Sequence, residues 1–286
     1  MKTIILFSLG IMVTTPSVHA QHSLKFDLQL EKSTYLVGEP VQVGISYVNV
    51  ISGVIRGLNS SQTGLRVLDE KGREVNRAGV SGNHWSPSKN ELKSGEEDYR
   101  VIELNQYFGK SYGGLLMGGV QYFDDGLYVV KAIFHPPGMS PETTEVSFKV
   151  VQPEGDEAIA YNSFLEILKR DREHGYTGIQ LAEAIGSLHK AHPNSVYTPY
   201  FLAILDAVYD IRAGDHAKSL LARKELVEKY PWSVQGQGML EGILKRMQSD
   251  GERIEYLKKL HTASKGTLME KVFQKKLQKE LTKEDR

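Results

Sequence analysis

The spacing of apolar residues changes once along this chain, and that change limits the folds open to it. From Leu24 to about Val151 the apolar period is two: Leu24, Phe26, Leu28 and Leu30 alternate with polar residues, as do Val41, Val43, Ile45 and Tyr47. The pattern returns at Tyr128, Val130, Ala132 and Phe134, and again at Val146, Phe148 and Val150. Alternation sends successive side chains to opposite faces of a strand, one toward a core and the other toward water. Turn signals part the runs, among them Gly38-Glu39-Pro40, Asp69-Glu70-Lys71-Gly72 and Asp124-Asp125-Gly126. About seven short strands fit with no helical period between them, which predicts an antiparallel β-sandwich over residues 22–152.

At Gln152-Pro153-Glu154-Gly155-Asp156 the period switches. Residues 153–156 read as a linker, and residues 157–286 as an all-α domain. Ile159, Phe164, Leu165 and Leu168 mark one helix and Ile179, Ala182, Ile185 and Leu188 the next. Thr198-Pro199 reads as a cap with Pro at the first helical position, and Thr267 to Glu270 has capping-box spacing. About seven helices fit, joined by short loops that make neighbours antiparallel.

The helical half repeats itself. His192-Pro193-Asn194-Ser195-Val196 returns 38 residues later as Tyr230-Pro231-Trp232-Ser233-Val234, with Leu188 and Leu226 at matching places before the copies. Pro ends a helix, and a Ser hydroxyl can cap the next one. The echo therefore reads as a reset between helical hairpins, several of which must stack to cover their apolar faces.

Two resemblances attach to these stretches. "STYLVGEPVQVGISYVN" (33–49) and "FDDGLYVVKAIF" (123–134) resemble strands of immunoglobulin-like domains in bacterial exported proteins. "AGDHAKSLLARKELVEKYPWS" resembles the second helix of a tetratricopeptide repeat, with Pro231 placed 17 residues after the turn residue Gly214. Ser219, Arg223 and Leu226 depart from that repeat's small and aromatic positions, so the likeness is to a degenerate repeat. Together they imply an immunoglobulin-like sandwich followed by a tetratricopeptide-like hairpin array; such folds host many functions.

Residues 1–20 read as a signal peptide: Lys2, a short apolar run from Ile4 to Val13, then Val18-His19-Ala20 as the cleavage site. That run is too short to span a bilayer. The chain has no Cys, which favours a bacterial periplasmic or secreted protein and excludes thiolate catalysis and cysteine metal sites. With 35 basic and 35 acidic side chains, there is no global field to draw nucleic acid.

No catalytic constellation stands out. Gly109-Lys110-Ser111 lacks the earlier Gly of a phosphate loop, since position 104 is Leu104. There is no G-x-S-x-G elbow or S-x-x-K run. His189 and His192, with His174 and His216 near in sequence, lack the further ligand and base of a zinc enzyme, and no cofactor or metal is called for. Partner-binding candidates are aromatic: Trp85 between strands, Tyr107, Phe108, Tyr112 and Tyr122 in the apolar stretch 105–123, and Tyr197, Tyr200 and Trp232 around the echo. From Lys258 the chain carries nine basic and four acidic side chains, read as a terminal helix with a solvated basic face. The expectation is a non-enzymatic scaffold of the cell envelope holding another envelope or secreted protein, or a glycan. The alternatives are a peptide or glycan hydrolase with an accessory sandwich, and a carbohydrate-binding module.

Overall fold

The computed structural model describes residues 24–59, 61–77, 86–111 and 121–284. The segment 1–20 expected to be a signal peptide, Trp85 and Tyr112 lie outside them. Strands β1 (Leu24–Leu30), β3 (Gln42–Asn49) and β7 (Glu97–Glu103) form one antiparallel sheet in the order β1-β3-β7. A second sheet runs β2 (Thr34–Leu36), β11 (Glu142–Val151), β10 (Gly126–Phe134), β5 (Thr63–Asp69). Two short ribbons, β4 (Ile55–Arg56) with β6 (Glu91–Leu92) and β8 (Lys110–Ser111) with β9 (Gln121–Tyr122), complete the β half. One pairing departs from the antiparallel expectation: β2 runs parallel to β11 over three residues.

The alternating residues fill the space between the sheets. Leu24, Phe26, Val43, Ile45, Tyr47, Val130, Ala132 and Phe134 are buried. Phe134 of β10 meets Phe26 and Tyr47 across that space, with ring centroids 5.6 and 5.0 Å apart.

Seven helices follow: α1 (Gly155–His174), α2 (Gly178–Ala191), α3 (Thr198–Ala207), α4 (His216–Lys229), α5 (Val234–Leu244), α6 (Asp250–Ala263) and α7 (Met269–Glu284). The last turn of α3 widens to π geometry over Val208–Arg212 before Gly214 turns the chain at φ +66°. Two stripe residues face outward: Ile159 and Ile179 are 55% and 64% exposed. The other expected residues hold: Phe164 on α1 and Ala182, Ile185 and Leu188 on α2 are buried, joined by Ala160 and Tyr161 on α1 and Leu181 on α2.

The echo is a repeated turn. His192 N donates to Leu188 O and Tyr230 N to Leu226 O, both at 3.0 Å, and Ser195 and Ser233 each donate a backbone N–H back to the aromatic position. Tyr230 Oη donates to Pro193 O at 2.6 Å, so the copies touch. The expected local caps differ. Thr198 lies inside α3 and its hydroxyl donates to His192 O. Ser233 gives its hydroxyl to Gln235 and makes no cap bond.

Those helix starts are satisfied by other elements. Gln42 of β3 accepts from Val234 N at the start of α5 (3.1 Å), and Glu31, just past β1, accepts from Leu268 N at the start of α7 (2.8 Å). Glu157 of α1 accepts from Val196 N before α3. A helix leaves its first N–H groups without intrahelical partners, and here the β half supplies two of the acceptors. The buried core follows the same logic and crosses the period switch. One cluster joins both sheets to α1–α4, and a second joins α5–α7 to Val101 of β7.

Candidate functional site

β7 is one of the strands that meet the helices. Its register with β3 places Glu97, Tyr99, Val101 and Glu103 on one face, opposite Val48, Ser46, Gly44 and Gln42. Alternation predicts that this face meets water, yet helices cover it. Gly44 makes this possible, because a Cβ there would collide with the Tyr99 hydroxyl and crowd Leu268. Tyr99 Oη donates to Leu268 O (3.1 Å), Lys271 reaches Glu97 (2.8 Å), and Lys275 reaches Asp98 (3.2 Å). Burial works against ionisation of Asp98, but the Ser88 hydroxyl and amide together with Lys275 outweigh it and hold its carboxyl below the usual range.

Between β7 and α5, α6 and α7 lies a cleft of about 650 Å³, within the range of a ligand pocket. Half-buried Tyr99 and the edges of Leu244 and Val272 give it apolar surface over buried Leu257. Among its described lining residues seven are basic (Arg100, Lys245, Arg253, Lys275, Lys276, Lys279 and Lys283) and two acidic (Glu241 and Glu280). Lys276 pairs with Glu241, and Lys283 with Glu280 at 2.6 Å. The Lys276 contact comes first among the causes that hold the Glu241 carboxyl below its ordinary range, with Lys279 and Lys245 adding to it.

A second hollow continues from the first past Lys276 and Glu241, bounded by Arg100 to Glu103, Gln106, Tyr107, Gln237 and Gly238. Glu103 is buried there, and among the described residues no cation pairs with it. Its carboxylate accepts from Tyr200 Oη, from Gln235 Nε2 (2.7 Å) and from Gln106 Nε2 (3.2 Å). Burial dominates these donors and pushes its pKa up to about 7. The Tyr200 hydroxyl is raised well above its ordinary value by its own burial and by Glu103.

The aromatic candidates scatter. Tyr107 and Phe108 are buried, Tyr107 beside the second hollow and Phe108 under the Arg77 guanidinium. Tyr122 is half-buried on the β8–β9 ribbon. Tyr197 is wholly buried, stacks on Tyr161 at 5.1 Å and donates to Val37 O at 2.8 Å. Trp232 is half-buried and meets Tyr230 edge-on. Among the described candidates, only Tyr107 and Tyr200 converge on one place, beside Glu103. Sequence reasoning passed over Arg100, Glu103, Lys245 and the α7 lysines as site residues; the signal available was the basic excess after Lys258.

No family model matches this chain, and no curated protein sequence matches it significantly. Among solved structures, a CARDB domain from Pyrococcus furiosus, in complex with di-metal ions, is similar over 45% of this chain and 87% of that one. The identity is 12% and the TM-score 0.27. CopC from Methylosinus trichosporium OB3b is similar over 46% of this chain and 98% of its own, at 16% identity and a TM-score of 0.25. Spo0M, a sporulation control protein from Bacillus subtilis, is similar over 52% of this chain and 55% of its own, at 16% and 0.27. At scores of this size, fold and function have to be read from the chain itself.

Proposed function

We propose that the protein is a non-enzymatic binding or scaffolding protein of the bacterial cell envelope, with its partner seated in the cleft between β7 and α5–α7. The observation that carries the reading is the lining of that cleft, in which a cluster of basic side chains surrounds apolar surface and both halves of the chain supply walls. An immunoglobulin-like sandwich joined to a tetratricopeptide-like array fits this role. Support for the sandwich comes from the rings that meet between the two sheets. Support for the array comes from the identical turns at His192 and Tyr230. The envelope location rests on the leader sequence and on the absence of Cys.

Photo-crosslinking tests the site. A photoreactive residue at Gln237, Lys245 or Lys279, placed one at a time in the full chain in cells, is expected to give one dominant adduct. Lys276→Glu is expected to remove it. Adducts that form equally from exposed positions outside the cleft, such as Leu127, would overturn the assignment.

One observation favours a hydrolase instead. A buried carboxyl that titrates near neutrality in a cleft between two halves has the character of a general acid. Turnover in a panel of peptides and glycans, lost in Glu103→Gln, would replace the binding reading with that one.

A further inference from the structure

We infer that the occupant of this cleft is an acidic segment of a partner protein that also carries an apolar side chain, an inference that rests on the binding reading above. Three features argue for that chemistry. The first is charge: seven cations line the cleft and four carboxylates contact them, Glu241 and Glu280 in the lining, Asp98 at Lys275 and Asp250 at Arg253, which leaves an excess of three positive charges on a chain with no net charge. Such a patch attracts and orients an acidic partner and discriminates against a basic one.

The second is Glu241. This carboxylate of the chain's own lies among Lys276, Lys279 and Lys245, which together stabilise its ionised form. It shows what the site does to a carboxylate, and it neutralises only part of the positive charge around it. Five of the seven cations are lysines. Ammonium groups on flexible stems suit anions in variable positions, whereas the guanidinium fork suits rigid bidentate recognition of a carboxylate or phosphate.

The third is the apolar surface. Leu244, Leu257, Val272 and Tyr99 line the same cavity as the cations. A purely ionic polymer would leave the exposed part of that surface, chiefly Tyr99, uncovered, while an aliphatic or aromatic side chain would remove it from water. The cavity volume suits a few side chains of a segment rather than a whole domain.

The test is fluorescence anisotropy on the full chain with three labelled peptides of equal length: Glu/Leu, Glu/Ser and Lys/Leu. The Glu/Leu peptide is expected to bind with an affinity that falls as salt rises. The Glu/Ser peptide is expected to bind roughly tenfold more weakly and the Lys/Leu peptide not at all. Lys245→Glu/Lys279→Glu should weaken the Glu/Leu peptide by roughly a hundredfold, and Lys245→Gln/Lys279→Gln by roughly tenfold. Unchanged unfolding midpoints for both variants would confirm that the losses arise at the site.

Equal binding of the Lys/Leu peptide, or unchanged affinity in both double variants, overturns the inference. So does tighter binding to phosphatidylglycerol vesicles that the Glu/Leu peptide cannot displace. If the crosslinked adduct forms in cells but the acidic peptide does not bind, the inference falls and the binding reading stands. If neither occurs, both fall.

Discussion

The two halves of the chain meet along two seams of opposite character. At the first, Gly38 presses against the Tyr161 ring, Tyr161 stacks on Tyr197, and the Tyr197 hydroxyl donates to Val37 O. This seam is aromatic and closed, and it belongs to the cluster that joins the sheets to α1–α4. At the second, β7 faces α5 and α7 through Lys271–Glu97, Lys275–Asp98 and the Tyr99–Leu268 bond, and a cleft opens beside it. Apolar contact excludes water and tolerates no gap. Lys271 and Lys275 stay about half exposed while they reach the strand, and long solvated side chains leave room for a ligand. The first seam holds the halves together; the second gives them something to hold.

Breaking the closed seam should have the largest effect. Gly38 has φ +82° and no space for a Cβ beside Tyr161. Gly38→Val should therefore cost about 3 kcal/mol or more in urea unfolding, since strain and overpacking add. A loss below about 1 kcal/mol would show that the seam yields easily.

Next is the pH dependence of Glu103, whose pKa is raised from 4.5 to about 7 on folding. A raised folded value means that the native state holds the proton more tightly. The contribution is fully present below pH 4.5 and is lost as pH rises through about 7. Between those limits wild type should lose roughly 3 kcal/mol relative to Glu103→Gln. Parallel stability–pH curves for the two proteins would contradict the burial that raises this group.

Tyr197→Phe should be milder. It leaves Val37 O buried without its donor, at about 1–2 kcal/mol in the same unfolding assay. The open seam should respond least. Lys271→Ala removes an exposed pair with Glu97 and should cost less than about 1 kcal/mol, a difference that disappears at high salt. A larger loss, or one indifferent to salt, would mean that the second seam is as closed as the first.

Much of this architecture was legible because it is local. The alternation of Phe26, Tyr47, Val130 and Phe134 marked the residues that interlock between the sheets, and the echo marked two turns of the same geometry. What the period suggested wrongly was the fate of the other strand face. Gln42, Gly44 and Glu103 look like solvent positions by type, yet Gln42 and Glu103 are each 2% exposed. The docking of α3, α5 and α7 buries them, and nothing in a run of β3 or β7 residues announces a helix so far along the chain. The basic face of α7 does meet solvent, with Lys271, Lys275 and Lys279 exposed, as its composition predicts. Its lysines take their meaning from Asp98, Glu97 and Glu241, which come from distant parts of the chain.

Taken by itself, then, the sequence determined the order and type of the elements, because hydrophobic period and turn chemistry act over a few residues. The tertiary structure alone decided where helix starts find their acceptors, as Gln42 does for α5 and Glu31 for α7. It also decided that the core runs through the Pro153 boundary and that scattered lysines converge on one cleft. Those outcomes depend on long-range burial and electrostatics, which act through distance in space, and a linear pattern carries no record of that distance.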